Sequence, residues 1–258
     1  MNSKRRRIGW LMLLMPLYAA CSTTYLGFSG KIGPTDWRTA SREAVGLAPD
    51  PAATPEAVVQ VYAARAVSWK GYFGVHTWIA VKPTGAEKFK IHEVLGYRLR
   101  RAGTAVVSRE GVPDARWYGA EPELLRDVRG PGVDALIERI DAAVQEYPYA
   151  ATYRVWPGPN SNTFTAFVLR DVPELRVDLP PTAIGKDYLG AIPLARTPSG
   201  TGGQVNLFGI AGIAAGWEEG LEVNLLGLTF GADPASLSIK LPLLGRIGPS
   251  ESEPVIIN

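Results

Sequence analysis

Among its 258 residues the chain has one cysteine, two histidines and three methionines. A lone Cys21 excludes an intramolecular disulfide and any site built from several thiolates. His76 and His92 are too few for a histidine-built metal centre, so neither a metal nor a cofactor is expected. Charge is modest as well, with 20% Asp, Glu, Lys and Arg and a formal net charge of +2. Four of the positive charges are Lys4, Arg5, Arg6 and Arg7; the remainder of the chain is at −2, which is not the balance of a nucleic-acid binder. Long hydrophobic runs are missing too. Leu207–Trp217 and Leu221–Phe230 have 11 and 10 residues, too short to cross a bilayer as helices, and read as a β-hairpin or core segments, with lying against a membrane or covering an acyl-chain groove as the alternatives.

Turn residues and large apolar ones are plentiful: 28 Gly, 21 Pro, 7 Trp and 46% hydrophobic residues. That composition describes a turn-rich globular chain with ample core material. The N-terminus reads as an address. Lys4–Arg7 form a basic segment and Ile8–Ala20 an apolar one of 13 residues, about 20 Å as a helix against a hydrocarbon core of about 30 Å. Ala19-Ala20 then lead into Cys21, the position of the acylated cysteine of a bacterial lipoprotein, although Tyr18 stands where that motif usually has Leu. The reading is a signal peptide over 1–21 with lipid attachment at Cys21. The protein would then be anchored in the bacterial cell envelope, at the outer membrane in a Gram-negative host. An uncleaved signal anchor is the alternative.

Residues 22–53, with Gly30, Gly33-Pro34 and Pro49-Asp50-Pro51, suggest a tether or loosely packed arm. Residues 54–250 are expected to form a single domain. Val58–Ala64 reads as a strand, and Val75–Val81 and Phe89–Tyr97 as a hairpin across Pro83-Thr84-Gly85. Residues 98–119 suggest a further strand pair, including Ala105–Val107 and Trp117-Tyr118. Val133, Leu136, Ile137, Ile140 and Val144 recur at helical spacing between Gly132 and Tyr147, with Pro148 as the stop. A second helix is expected to begin within Pro159–Asn162 and run to Arg170. Residues 199–245 form a Gly-rich apolar extension, in which Glu218, Glu219 and Glu222 read as a solvated face and Ser199–Gly203 as a flexible turn.

A three-residue hairpin loop places His76 opposite His92, and a four-residue loop places Glu93 there. Either partner would orient an imidazole and fix its tautomer. A helix N-terminus stabilises an anion, so Ser161 is a candidate nucleophile, with His76 as base and His92 or Glu93 as the third group. Asn160, Ser161 or Asn162 is equally suited to be the helix N-cap. Trp78, Trp117 and Trp156 suit either a core or a cleft.

The order of His76, His92 (or Glu93) and Ser161 resembles the circularly permuted papain-like superfamily, which includes permuted NlpC-type peptidases and lecithin:retinol acyltransferase-like enzymes. The resemblance implies a nucleophile at Ser161, where that superfamily has Cys; Asn160, Asn162, Trp78 and Trp156 are candidate cleft residues by their nearness to the candidate site along the chain. Segments 61–83, 116–130, 147–164 and 216–231 resemble an uncharacterised bacterial family of unknown function. The expected architecture is α+β: an antiparallel sheet with packed helices, a permuted papain-like core and the Gly-rich C-terminal extension. The expected function is a membrane-tethered extracytoplasmic hydrolase or acyltransferase acting on an amide or ester. The alternatives are a catalytically inert papain-like module binding envelope peptide or lipid, and a structural lipoprotein. The membrane, through the lipid anchor, is the expected partner, with no nucleic acid.

Overall fold

Runs of β-branched and aromatic residues between turn signals become strands, and periodic apolar ones become helices, in the computed structural model of the chain, which describes residues 3–34, 36–249 and 254–257. The strands β1 (Val58–Arg65), β2 (Val75–Lys82), β3 (Phe89–Val94), β4 (Val106–Gly111) and β5 (Glu123–Arg129) and the short C-terminal β13 (Val255–Ile256) form one sheet in the order β13-β5-β1-β2-β3-β4. All its pairings are antiparallel except β13 with β5. The helices are α1 (Ser3–Phe28), the one-turn α2 (Leu99–Ala102), α3 (Val133–Glu146) and α4 (Ser161–Asp171). Helices α3 and α4 cover one face of the sheet, where Val59, Val61, Ile79 and Val81 meet Ile137, Ile140, Phe164 and Val168 in the main core. Alternation sends Tyr62, Trp78, Phe89 and Ile91 to the other face, in a smaller cluster.

A second sheet follows: β6 (Leu194–Arg196), β7 (Gly202–Leu207), β8 (Ala211–Gly216), β9 (Gly220–Leu225), β10 (Leu228–Asp233), β11 (Ser238–Leu241) and β12 (Gly245–Ile247), an antiparallel meander in chain order. The fold class is α+β, as expected, and the Gly-rich extension is this meander.

Several expectations are corrected. Within residues 22–53, several described residues dock on the body of the protein rather than forming a free arm. Ser22 and Leu26 are buried, Arg116 and Gly119 donate to the carbonyls of Glu43 and Ser41, and the Asp114 carboxylate accepts from Leu47 N at 2.7 Å. Pairing with residues 114–119 satisfies backbone groups that a free arm would leave to water. Residues 98–119 supply one strand, β4, and Trp117 makes only an isolated bridge to Ala120. Glu219 and Glu222 are buried rather than solvated. The polar residues of the meander face the body of the protein, where Glu222 accepts from Lys186 and, at 2.7 Å, from Lys240. Ser199 is likewise pinned, its hydroxyl donating to Glu219 at 2.8 Å. The side chains of Lys4–Arg7 lie outside the described residues, and Cys21 is an exposed free thiol within α1. Among the described residues no helix is long and apolar enough to cross a membrane.

Candidate functional site

Strand β2 divides its side chains between the two faces of the sheet. His76, Trp78 and Ala80 point to the smaller cluster, and Val75, Thr77, Ile79 and Val81 to the helices. The β2–β3 hairpin forms as expected, but Ile79 pairs with His92, so the register is longer than either predicted loop gives. The connection is held toward α3 by Asp134, which accepts from Thr84 N at 3.0 Å and Thr84 Oγ1 at 2.6 Å, and Gly85 takes φ 71° with its N–H on Pro55 O.

In this register Glu93 is the diagonal neighbour of His76 on the same face. His76 Nε2 lies 3.1 Å from Glu93 Oε2, and both side chains are almost wholly buried. The other carboxylate oxygen accepts from Arg109 Nε at 3.2 Å and Nη2 at 2.9 Å. Burial pushes the Glu93 carboxyl up, but the hydrogen bond and charge of His76 together with the Arg109 guanidinium outweigh it and hold the group below the usual carboxylate range. His76, Glu93 and Arg109 thus form a ladder across three strands, ending at a half-exposed guanidinium.

Aromatic rings roof this ladder. Trp117 stacks on His76 at 3.8 Å between centroids and 12° between planes, and Trp78 lies 5.8 Å away on the same ring. Tyr118 meets Trp117 edge-on, and Arg42 lies 3.9 Å over the Tyr118 ring. Tyr97 adjoins the group: burial raises its pKa, helped by the charges of Tyr118 and Glu93 and opposed by Arg98 and Arg42. The rim is therefore arginine and tyrosine above a buried imidazole and carboxylate.

His92 lies on the opposite face. Its Nδ1 is 2.8 Å from Ser108 Oγ on β4. Its Nε2 is 3.2 Å from Asp141 Oδ1 on α3, near enough for attraction but without the alignment of a hydrogen bond. Burial pushes the imidazole down to about 4, against the pull of Asp141 and with a further push from Lys90. Lys90 in turn donates to both Asp141 oxygens, at 2.9 and 2.8 Å.

Ser161 opens α4, but its neighbours make the cap. The Asn160 side chain accepts from Asn162 N at 2.9 Å and Thr163 N at 3.2 Å, and Thr163 Oγ1 accepts from Asn160 N, a complete capping box. Asn162 Nδ2 donates to Val75 O and Ile184 O at 3.0 and 2.8 Å. Thr77 donates to Asn162 Oδ1 and lies 2.9 Å from Thr165 Oγ1, so α4 sits on the Thr77 face. His76, one residue earlier, points the other way. The fold does not bring Ser161 and His76 together. Residues Asn160 to Thr163 are all buried. Trp78 is buried beside His76, donating to Pro113 O at 2.8 Å, whereas Trp156 is half exposed and donates to Leu226 O in the second sheet. These two tryptophans do not share a cleft.

Arg109, Tyr118, Arg42, Ser108 and Asp141 escaped the reading of the sequence. Arg109 and Ser108 alternate on a strand whose register shows only in three dimensions. Asp141 stood among the polar residues of an amphipathic helix. Among the described residues, no cluster of three or more His, Cys, Asp or Glu side chains is arranged to hold a metal ion.

No curated protein and no solved structure matches the chain. One family model matches residues 56–188, from the start of β1 through α4 to the loop that Asn160 and Asn162 bind, and includes three of the four segments singled out in the sequence. The chain belongs to that family, DUF3750, proteins of unknown function.

Proposed function

We propose that the protein is a lipid-anchored, extracytoplasmic module of the bacterial cell envelope. It binds an anionic envelope peptide or lipid at the His76–Glu93–Arg109 face and does not hydrolyse an amide or ester through Ser161. The observation that carries this reading is the separation of Ser161 from His76 by the thickness of the sheet. A base acts only within hydrogen-bond reach of the proton it takes; Thr77 lies beneath α4, which Ser161 opens, and His76, one step along β2, points to the opposite face. The rim of Arg42, Arg98 and Arg109 around Tyr97, Tyr118 and Trp117 favours a ligand with a planar anionic group, which guanidinium binds in two-pronged fashion. The position of Cys21, after a basic segment and a short apolar one, supports the anchor.

The anchor is tested by mass spectrometry of the protein purified from membranes, which should find an acylated Cys21 at its N-terminus; residues 1–20 still attached would refute it. Chemistry is tested with a fluorophosphonate probe on the full chain. Ser161 should stay unlabelled, and labelling that disappears in Ser161→Ala would restore the hydrolase reading at that residue.

One geometry favours a second reading. Ser108 is exposed, its hydroxyl is 2.8 Å from His92 Nδ1, and that imidazole is neutral at pH 7 with Asp141 behind it. This is the set of groups that activates a serine. Probe label mapped to Ser108, and lost in His92→Gln, would make the protein a serine hydrolase working on the helix face.

A further inference from the structure

The second sheet carries its polarity inside out. An antiparallel sheet with one face on a protein body normally points apolar side chains inward and polar ones to water. Here Gln204, Asn206, Glu222, Asn224, Thr229 and Lys240 are buried against the body. The alternate positions Val205, Ile213, Leu221, Val223, Leu225 and Ile239 face outward, Ile213 with 58% of its surface exposed. Directly paired residues share a face, and Val205 pairs with Ile213, Ile213 with Val223 and Leu225 with Leu228. The apolar side chains therefore form one field rather than isolated spots. Among the described residues of these seven strands, Arg196 on the edge strand β6 is the single polar side chain of the outer face. Seven strands of three to six residues, spaced about 4.8 Å apart, cover on the order of 500 Å², toward the upper end of what an ordinary monomer exposes.

The turns extend the field. Phe208 and Leu226 occupy the β7–β8 and β9–β10 turns at φ 53° and 55°, a conformation usually given to Asn or Gly. At the other end of the strands stand Trp217, 72% exposed, and Leu237.

We propose that this face rests on the surface of a lipid bilayer, with its side chains in the boundary between headgroups and acyl chains. The chemistry favours lipid over a second copy of the chain. Two such faces pressed together would bury about 1,000 Å², below the usual range for a specific interface, and such interfaces also carry about ten direct hydrogen bonds. This face offers no side-chain donor or acceptor besides Arg196, and hydrocarbon requires none. Aromatic and aliphatic tips at both ends suit the headgroup level. In the uncleaved chain the Tyr18 hydroxyl donates to Pro242 O in the β11–β12 turn, so Cys21, three residues on, lies beside the same sheet at the stage when residues 1–20 are to be removed. Strands of three to six residues fall short of the roughly 9–11 needed to span a bilayer, so the sheet lies on the membrane and not through it. The proposal takes its orientation from the tether reading above, but contact between sheet and lipid does not depend on an acyl chain.

The test uses the full chain carrying Cys21→Ser, which cannot be acylated and has no other cysteine. A cysteine is introduced by Leu225→Cys on the outer face or by Glu138→Cys on the exposed side of α3. It is then labelled with an environment-sensitive fluorophore and mixed with vesicles of phosphatidylethanolamine and phosphatidylglycerol. The label at 225 should shift to the blue and be quenched by acyl-chain quenchers, and the label at 138 should not change. The triple variant Ile213→Gln, Leu221→Gln, Val223→Thr should lower vesicle partitioning by at least about tenfold, with the circular dichroism of its parent because all three sites are at the surface. An unchanged label at 225 on vesicle-bound protein overturns the proposal. So does a blue shift without vesicles that grows with protein concentration, which would assign the face to a second copy. If Cys21 proves unacylated while the label at 225 enters the vesicles, the tether reading fails and this one stands.

Discussion

His76 and Glu93 meet at 3.1 Å although they are not paired in the β2–β3 ladder; the carboxylate reaches the imidazole diagonally and turns its second oxygen to Arg109. Glu93→Gln removes the charge that both partners face. It should cost about 2–4 kcal/mol at pH 7, below the largest buried-pair losses because Arg109 is half exposed. The folded carboxyl titrates below its unfolded value, so its contribution is present above the unfolded pKa and is lost as pH falls through the folded one. Urea unfolding of both proteins should therefore show a gap at neutral pH that closes below about pH 4.

His92 gives the opposite residue type with the same sign. Its folded pKa, about 4, lies below the unfolded value of 6.5. Between those two values the unfolded chain binds the proton and the folded chain does not, so stability falls as pH drops from 6.5 toward 4. His92→Gln should flatten this part of the stability profile. In NMR titration of the two imidazoles, that of His92 should show no titration above about pH 5.

Replacing Asn160 should hurt far more than replacing Ser161. Asn160→Ala strips the cap from two N–H groups and leaves the carbonyls of Val155 and Ile184 without its amide, a loss of about 2–4 kcal/mol. Ser161→Ala should cost less than about 1 kcal/mol, since its hydroxyl is not the capping group. Thermal unfolding of the two variants separates them.

At Gly185 two constraints coincide: φ is 94°, and an added Cβ would stand 2.5 Å from Asn160 Nδ2. Gly185→Ala should destabilise by about 2 kcal/mol or more, and the loss should shrink when Asn160→Ala is already present, as a double-mutant cycle on unfolding would record.

Glu222 bridges Lys186 and Lys240 beneath the second sheet. Glu222→Ala leaves two buried ammonium groups without it and should cost about 3–5 kcal/mol. Hydrogen exchange should show the loss concentrated in residues 194–247, with the helix-covered core little changed.

Local chemistry was enough for the elements that depend on near neighbours. The spacing from Val133 to Val144 marks α3, and the Asn160–Thr163 stretch ahead of an apolar run marks the start of α4. Alternation around Pro83–Gly85 marks the hairpin. These follow from helical and strand periods, capping and turn chemistry, all of which act within a few residues. The site was less legible. A strand's alternation tells which residues share a face but not which face is covered, so nothing local told Thr77 from His76 as the one beneath α4. Register was hidden as well, because it depends on Thr84 binding Asp134, 50 residues away.

The C-terminal sheet divides the two kinds of information most clearly. Its sequence, by itself, determined that apolar and polar residues alternate along β7, β9 and β11 between tight turns. Only the tertiary structure decided that the polar set points inward. Lys186 and Asp178, from the loop after α4, supply partners that make buried charge tolerable at Glu222 and Lys240. Once those charges are satisfied within, the pleat leaves the hydrocarbon side chains outside.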